Sequence, residues 1–154
     1  MIRGIHHTAI STPDLERALA FYRDVLGFEE VNDFTWPVGS TQIDGIVGLK
    51  DSSARTVMLK APNAMIEFFQ YESPTPKPGD PARPVSDHGI THFCLDVRDI
   101  EAEYERLMAA GMTFHCPPQD LGEVKATYGR DPDGNVIELQ EVLNPENPMA
   151  LDLG

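Results

Sequence analysis

The sequence predicts an α+β protein built from two copies of one strand–helix–strand–strand–strand module. Three observations carry that reading: a repeat at an offset of 85 residues, strand-like alternation on either side of a helical stripe in each copy, and a proline-rich stretch between the copies. Residues 5–28 read Ile-His-His-Thr-Ala-Ile-Ser-Thr-Pro-Asp-Leu-Glu and run through a helical stretch to Leu26-Gly27-Phe28. Residues 90–112 read Ile-Thr-His-Phe-Cys-Leu-Asp-Val-Arg-Asp-Ile-Glu and run to Ala110-Gly111-Met112. The offset superposes His7 on His92, Asp14 on Asp99 and Glu16 on Glu101, and Gly27 matches Gly111 after a single-residue gap.

Each copy opens with a short strand. Thr8, Ile10 and Thr12 alternate with His7, Ala9 and Ser11, as Phe93, Leu95 and Val97 alternate with His92, Cys94 and Asp96. The first set of each packs on a helix and leaves His7 and His92 on the opposite face, while His6 points away from His7. Thr12-Pro13-Asp14 opens the first helix, with Thr12 as N-cap and Pro13 in the first turn. Its stripe is Leu15, Ala18, Leu19, Tyr22 and Leu26, and Gly27 ends it. The second helix starts near Asp99, carries Ile100, Tyr104, Leu107 and Met108, and stops at Gly111. Further strands are expected near 28–35, 41–49 and 55–71, the last span folding as a hairpin at Ala61-Pro62-Asn63. The second copy offers 112–116, 123–130 and 136–142, with a tight turn at Asp131-Pro132-Asp133-Gly134-Asn135. The organisation is therefore a first module at 1–72, a proline-rich linker at 73–88, a second module at 89–143 and an irregular tail at 144–154.

Composition narrows the function. With 41% hydrophobic and 24% charged residues, the chain can bury a core as one domain or two very small ones. No apolar run approaches the roughly 18 residues of a membrane span, and none follows the first methionine as a signal peptide requires. Two cysteines, Cys94 and Cys116, fit a reduced cytoplasmic protein better than a disulfide scaffold. Twelve basic against 25 acidic residues give a net charge of −13, which repels nucleic acid.

The candidate chemistry sits in the last strand of each copy. In Met65-Ile66-Glu67-Phe68-Phe69 the carboxylate shares a face with Met65 and Phe69; in Val136-Ile137-Glu138-Leu139-Gln140 it shares one with Val136 and Gln140. If the histidine and glutamate strands are neighbours, each module offers one imidazole and one carboxylate to the same face, and a pseudo-twofold converges all four. A lone strand histidine is usually structural, and a lone glutamate in an apolar strand is often an edge residue. Matched placement in two copies is what points to metal. Two imidazoles and two carboxylates suit Zn, Ni, Co, Mn or Fe, and leave octahedral positions open for substrate oxygens. His88 and His115 have no counterpart in the other copy and are read as loop or pocket-wall residues.

The segments His7 to Phe28, Met65 to Tyr71, His92 to Gly111 and Tyr128 to Gln140 resemble the vicinal oxygen chelate superfamily, which includes glyoxalase I, methylmalonyl-CoA epimerase, extradiol dioxygenases, and fosfomycin- and bleomycin-resistance proteins. The motifs carrying the resemblance are His-x6-Asp before a helix closing in Tyr22-Arg23-Asp24-Val25-Leu26-Gly27-Phe28, and Arg130-Asp131-Pro132-Asp133-Gly134-Asn135 before the final glutamate. The resemblance implies paired βαβββ modules forming a cup-shaped mixed eight-stranded sheet with helices on the convex face, within a homodimer. It places the family's metal ligands on His7, Glu67, His92 and Glu138. The filled set matches glyoxalase I and resembles the epimerase.

That match implies a metal-dependent lyase or isomerase acting on a small molecule. A proton next to a metal-bound carbonyl is removed through an enediolate, with Glu138 as the favoured base and Glu67 as the other candidate. The alternatives are an Fe(II)-dependent extradiol-type dioxygenase, which typically leaves the place of Glu67 unused, and a metal-free antibiotic-binding protein. Trp36, with Phe34 and the glycine-bearing stretch from Val38 to Gly48, reads either as a wall for substrate or as an ordinary hairpin connection. Tyr128 could donate a hydrogen bond at the pocket or be a buried hydrophobe with a satisfied hydroxyl, and Arg130 could pair with a substrate carboxylate or simply serve its own turn.

Overall fold

The computed structural model describes residues 1–153, so Gly154 of the expected tail lies outside the described residues. The chain forms two compact units, Met1–Gly79 and the stretch from Asp80 on. Each contains the strand–helix–strand–strand–strand order, the first with one added helix and the second with one added short strand.

In the first unit β1 (His7–Ser11) runs parallel to β4 (Met65–Ser73). Strand β3 (Ser53–Lys60) lies antiparallel between β4 and the edge strand β2 (Glu29–Trp36), giving the order β1-β4-β3-β2. Helix α1 (Leu15–Leu19) continues as a π-helical segment, Ala20–Val25. Its buried side is Leu15, Ala18, Leu19, Phe21 and Tyr22, the predicted stripe with Phe21 added and Leu26 left half-buried, and Ile66, Phe68, Val57 and Leu59 are buried with it in the core. Tyr22 and Phe68 stand with ring centroids 4.6 Å apart. Fully burying a side chain of this size contributes roughly 1.5–3 kcal/mol. That contact fixes which face of the sheet is covered.

The second unit pairs β5 (Phe93–Asp96) parallel to β9 (Val136–Val142). Strand β8 (Val124–Arg130) follows antiparallel, then β6 (Thr113–Phe114) and a short β7 (Gln119–Asp120), both on β8. Helix α3 (Ile100–Ala109) buries Ile100 and Leu107, and Ile137 and Leu139 are also fully buried.

The same local device closes both copies. The Thr12 N–H donates to the Phe69 carbonyl, as the Val97 N–H donates to that of Gln140. The Gln70 side chain then accepts from the first helical N–H, Leu15, and the Glu141 carboxylate accepts from Asp99 and Ile100. Gln70 and Glu141 each lie three residues past the module's glutamate. The otherwise unsatisfied N–H groups of each helix are thus tied to the strand that carries the acid.

Several details differ from expectation. The strands fall into two sheets of four and five, one per unit. Residues 41–49 form a helix, α2 (Thr41–Val47), bounded by the left-handed Gly48, in place of a strand. The β-branched residues there favour a strand, but the 55–71 span already supplies two strands, so the sheet is complete without them. Asp14, not Thr12, caps α1: its carboxylate accepts from the Arg17 N–H, while the buried Thr12 hydroxyl accepts from Asp14. Pro13 therefore precedes the cap instead of following it. Met108 falls off the stripe and is half exposed.

The turn before β9 fits tightly. Asp131 accepts from the N–H groups of Asp133 and Asn135 and from the Asn135 amide. Gly134 has φ +88°, and a Cβ there would overlap Pro81 Cα and Cβ. Gly27 has φ +79° with open space around it. Urea unfolding should therefore show Gly27→Ala costing about 1 kcal/mol for the backbone conformation alone. Gly134→Ala should cost about 3 kcal/mol or more, because overlap with Pro81 adds to the same strain.

Candidate functional site

Parallel pairing dictates the placement of each histidine against its glutamate. In the first unit Ala9 lies opposite Glu67 and His7 opposite Met65, so His7 and Glu67 are successive occupants of one face. In the second Cys94 lies opposite Glu138, and His92 stands two residues earlier, just before β5. The register is identical.

His7 Nε2 lies 3.4 Å from a Glu67 carboxylate oxygen, and His92 Nε2 lies 3.0 Å from one of Glu138. The other ring nitrogen is engaged in both cases. His7 Nδ1 is 2.9 Å from His6 Nδ1, and His92 Nδ1 is 2.8 Å from the Thr91 hydroxyl. His6 and Thr91 are themselves related by the 85-residue offset. Each preceding residue therefore holds its neighbour's imidazole so that Nε2 is turned to the acid. Strand alternation alone turns His6 to the other face; its short reach along the chain still makes this contact.

Each acid has a distinct surrounding. The Thr56 hydroxyl donates to Glu67 at 2.9 Å. Thr56 lies opposite Phe69, two past Glu67; the corresponding place two past Glu138 is Ala126, opposite Gln140. Glu138 instead faces Tyr128 across β8–β9. The Tyr128 hydroxyl is 3.5 Å from His92 Nε2, and the two rings are 4.7 Å apart. Burial, then the Glu138 charge, pushes the Cys94 thiol up to about 12. Burial first and Glu138 second likewise raise the Tyr128 phenol, and burial then Glu67 raise that of Tyr71.

The donor set fits a divalent ion. Two ligands about 2.1 Å from one ion stand about 3.0 Å apart at a right angle and about 3.4 Å apart at the tetrahedral angle. The observed separations are 3.0 and 3.4 Å. Each module thus pairs one imidazole with one carboxylate at a distance that also suits a plain ion pair, and among the described residues no three His, Cys, Asp or Glu side chains form a metal-holding group.

The other side chains singled out by the sequence have different roles. Trp36 is buried, its indole N–H donating to the Ser52 hydroxyl at 3.1 Å. Arg130 directs its donors to the main-chain carbonyls of Gly134, Arg83 and Pro81, so its guanidinium serves the turn and the linker. The His115 ring stands 6.3 Å from that of Tyr128. Cys94 and Cys116 are both free thiols. Among the described residues no helix is long and apolar enough to cross a membrane.

The sequence model of the Glyoxalase/Bleomycin resistance protein/Dioxygenase superfamily matches residues 4–139. The chain belongs to that superfamily. An ethylmalonyl-CoA/methylmalonyl-CoA epimerase of Cereibacter sphaeroides is 32% identical over 92% of this chain and 100% of its own length. A lactoylglutathione lyase of Pseudomonas putida is 28% identical over 87% of this chain and 82% of its own. The crystal structure of a glyoxalase family protein from Bacillus cereus superposes with a TM-score of 0.84 at 20% identity, covering 94% of this chain and 97% of that one.

In this superfamily member the stretch expected as a wall, Val38 to Gly48, is anchored by Asp44. Its carboxylate accepts from the Ser52 N–H and hydroxyl and from the Asp51 N–H. Ser52 in turn holds Trp36. These bonds, the Ser52 hydroxyl first, hold the Asp44 carboxyl below its usual value. A depressed acid stabilises the fold above its ordinary pKa, and that contribution disappears as pH falls through the lowered one. Asp44→Asn should therefore loosen α2 at neutral pH, with wild type and variant converging from about pH 4 downward. Trp36 is the only tryptophan, so its fluorescence during urea titration reads the difference directly.

Proposed function

We propose that the chain is a metal-dependent lyase or isomerase of the glyoxalase I-like type, acting on a small molecule that carries a proton next to a carbonyl. His7, Glu67, His92 and Glu138 would hold a divalent ion, Zn, Ni, Co, Mn or Fe. The recurrence of one His–Glu pair at the same register in both modules is the observation that carries this reading. Family relatives named as an epimerase and a lyase support the same class of step. When bound, the ion would supply Lewis-acid polarisation of the substrate carbonyl.

The chain's own residues divide the remaining work. His6 and Thr91 hold the two imidazoles with Nε2 presented. Thr56 pins Glu67 toward His7, which supports a four-ligand set over the three-ligand dioxygenase pattern. An intact donor set also favours an enzyme over a metal-free antibiotic-binding protein. With Ala126 where Thr56 stands, Glu138 has no hydroxyl donor at that place, only the Cys94 thiol and His92 beside it, and is the base. Its carboxylate takes the proton from carbon; in an epimerisation the other acid, Glu67, supplies a proton to the opposite face of that carbon, and in an isomerisation Glu138 returns its own to the adjacent carbon. Tyr128, beside His92, is placed to donate to a substrate oxygen. Trp36, itself buried, backs the wall that the exposed Phe34 offers, whereas Arg130 is committed to carbonyls. On this reading the protein works as a cytoplasmic homodimer, without nucleic-acid or membrane partners.

Cobalt titration calorimetry and deuterium uptake by hydroxyacetone in D2O test the assignment. Glu67→Gln should weaken cobalt binding about ten- to hundred-fold. Glu138→Gln should keep most of the affinity but slow deuterium uptake about hundred-fold or more. Unchanged cobalt affinity in Glu67→Gln, or full exchange in Glu138→Gln, would overturn the division of labour between the two acids.

A further inference from the structure

We propose that the substrate carries a flat apolar group, aryl or conjugated, beyond its reacting carbonyl, and that this group lies on an aromatic platform in the first unit. The inference rests on the proposed proton-abstraction site and names the substrate class that site takes. Cross-strand register puts Phe34 of β2, Thr56 of β3 and Phe69 of β4 in one row, with Trp36, Ala54 and Tyr71 in the next. Residues directly opposite share a face, so these rings lie on the same side of the sheet as Glu67 and His7. Phe69 is the next residue on that face after Glu67, about 7 Å along the strand. Platform and His–Glu pair are continuous.

The rings are ordered. Phe34 stacks on Trp36 with centroids 6.2 Å apart, and Phe69 on Tyr71 at 5.7 Å. Trp36 meets Phe69 and Tyr71 edge-on at 6.1 and 5.9 Å. The indole N–H is spent on Ser52, which leaves ring carbon toward the platform. Core packing alone would place such a cluster under the helix, but α1 covers the other face, through Ile66 and Phe68. Phe34 remains 47% exposed and Phe69 and Tyr71 half-buried, so ring surface is open to a ligand. The cation in mid-strand, Arg55, is turned to the opposite face and bound by Asp33 and Glu16. Offset or edge-on stacking by a neutral ring therefore matches this surface better than an anionic tail does.

The test compares 2-hydroxyacetophenone with hydroxyacetone, two neutral α-hydroxy ketones differing in the group beyond the carbonyl. Binding to the metal-free protein is read by saturation-transfer NMR and by Trp36 fluorescence. The aryl ketone should bind about ten-fold or more tightly, with transfer strongest to its ring protons. Phe34→Ala, at an exposed position, and Phe69→Leu should each cut the preference several-fold. Equal affinities, or a preference untouched by both variants, overturn the proposal. So does a platform filled by a second copy, seen as Phe34→Ala dissociating a dimer with no aryl preference in wild type. Failure of the proton-abstraction reading is separate: neither ketone would take up deuterium, while the aryl preference persisted.

Discussion

The arrangement depends on a single constraint, the parallel pairing of the first and last strands of each module. Antiparallel neighbours can be exchanged or slipped at a turn; a parallel pair is joined through the whole module and cannot be adjusted locally. Once Tyr22 and Phe68 in one module, and Leu107, Ile137 and Leu139 in the other, bury one face, a slip of one residue would turn Glu67 or Glu138 into the core. Packing on one side of the sheet therefore fixes chemistry on the other. The hydrogen bonds from Thr12 and Val97 to the carbonyls two residues past each acid close the same register from the helix end.

Within that shared frame the two halves diverge at positions next to the acids. Thr56 is answered by Ala126, Met58 by Tyr128 and His6 by Thr91. The backbone plan is duplicated, whereas the side chains that restrain each carboxylate and each imidazole are not. Equivalent positions thereby acquire different neighbours: Glu67 accepts from a β3 hydroxyl, whereas Glu138 faces the Tyr128 ring.

Much of this was legible in the sequence because it follows from periodicity. Alternation in residues 7–12 and 93–97 put the histidines opposite the helix face, and the same rule placed Glu67 and Glu138 between buried neighbours. Thr91 could have been found by carrying the 85-residue offset back to His6. Thr56 could not, since its bond to Glu67 depends on the β3–β4 register, which sequence alone leaves open. The helical fate of 41–47 was hidden for a different reason. Its β-branched residues favour a strand, and only the completed sheet leaves them without a partner. Arg130 was readable as either an anion binder or a turn residue; the carbonyls of Pro81 and Arg83 lie some 50 residues away in sequence, beyond any local pattern.

That arginine latch grips main-chain oxygens and no side chain of the linker. Substitutions between residues 73 and 88 can therefore accumulate at little cost where they spare Asp80, Pro81 and Arg83, whose side chains bond or pack locally, provided the backbone still passes Gly134 at Pro81. The segment joining the two modules is held by its path more than by its composition, which frees it to diverge while the turn leading into Glu138 stays in place.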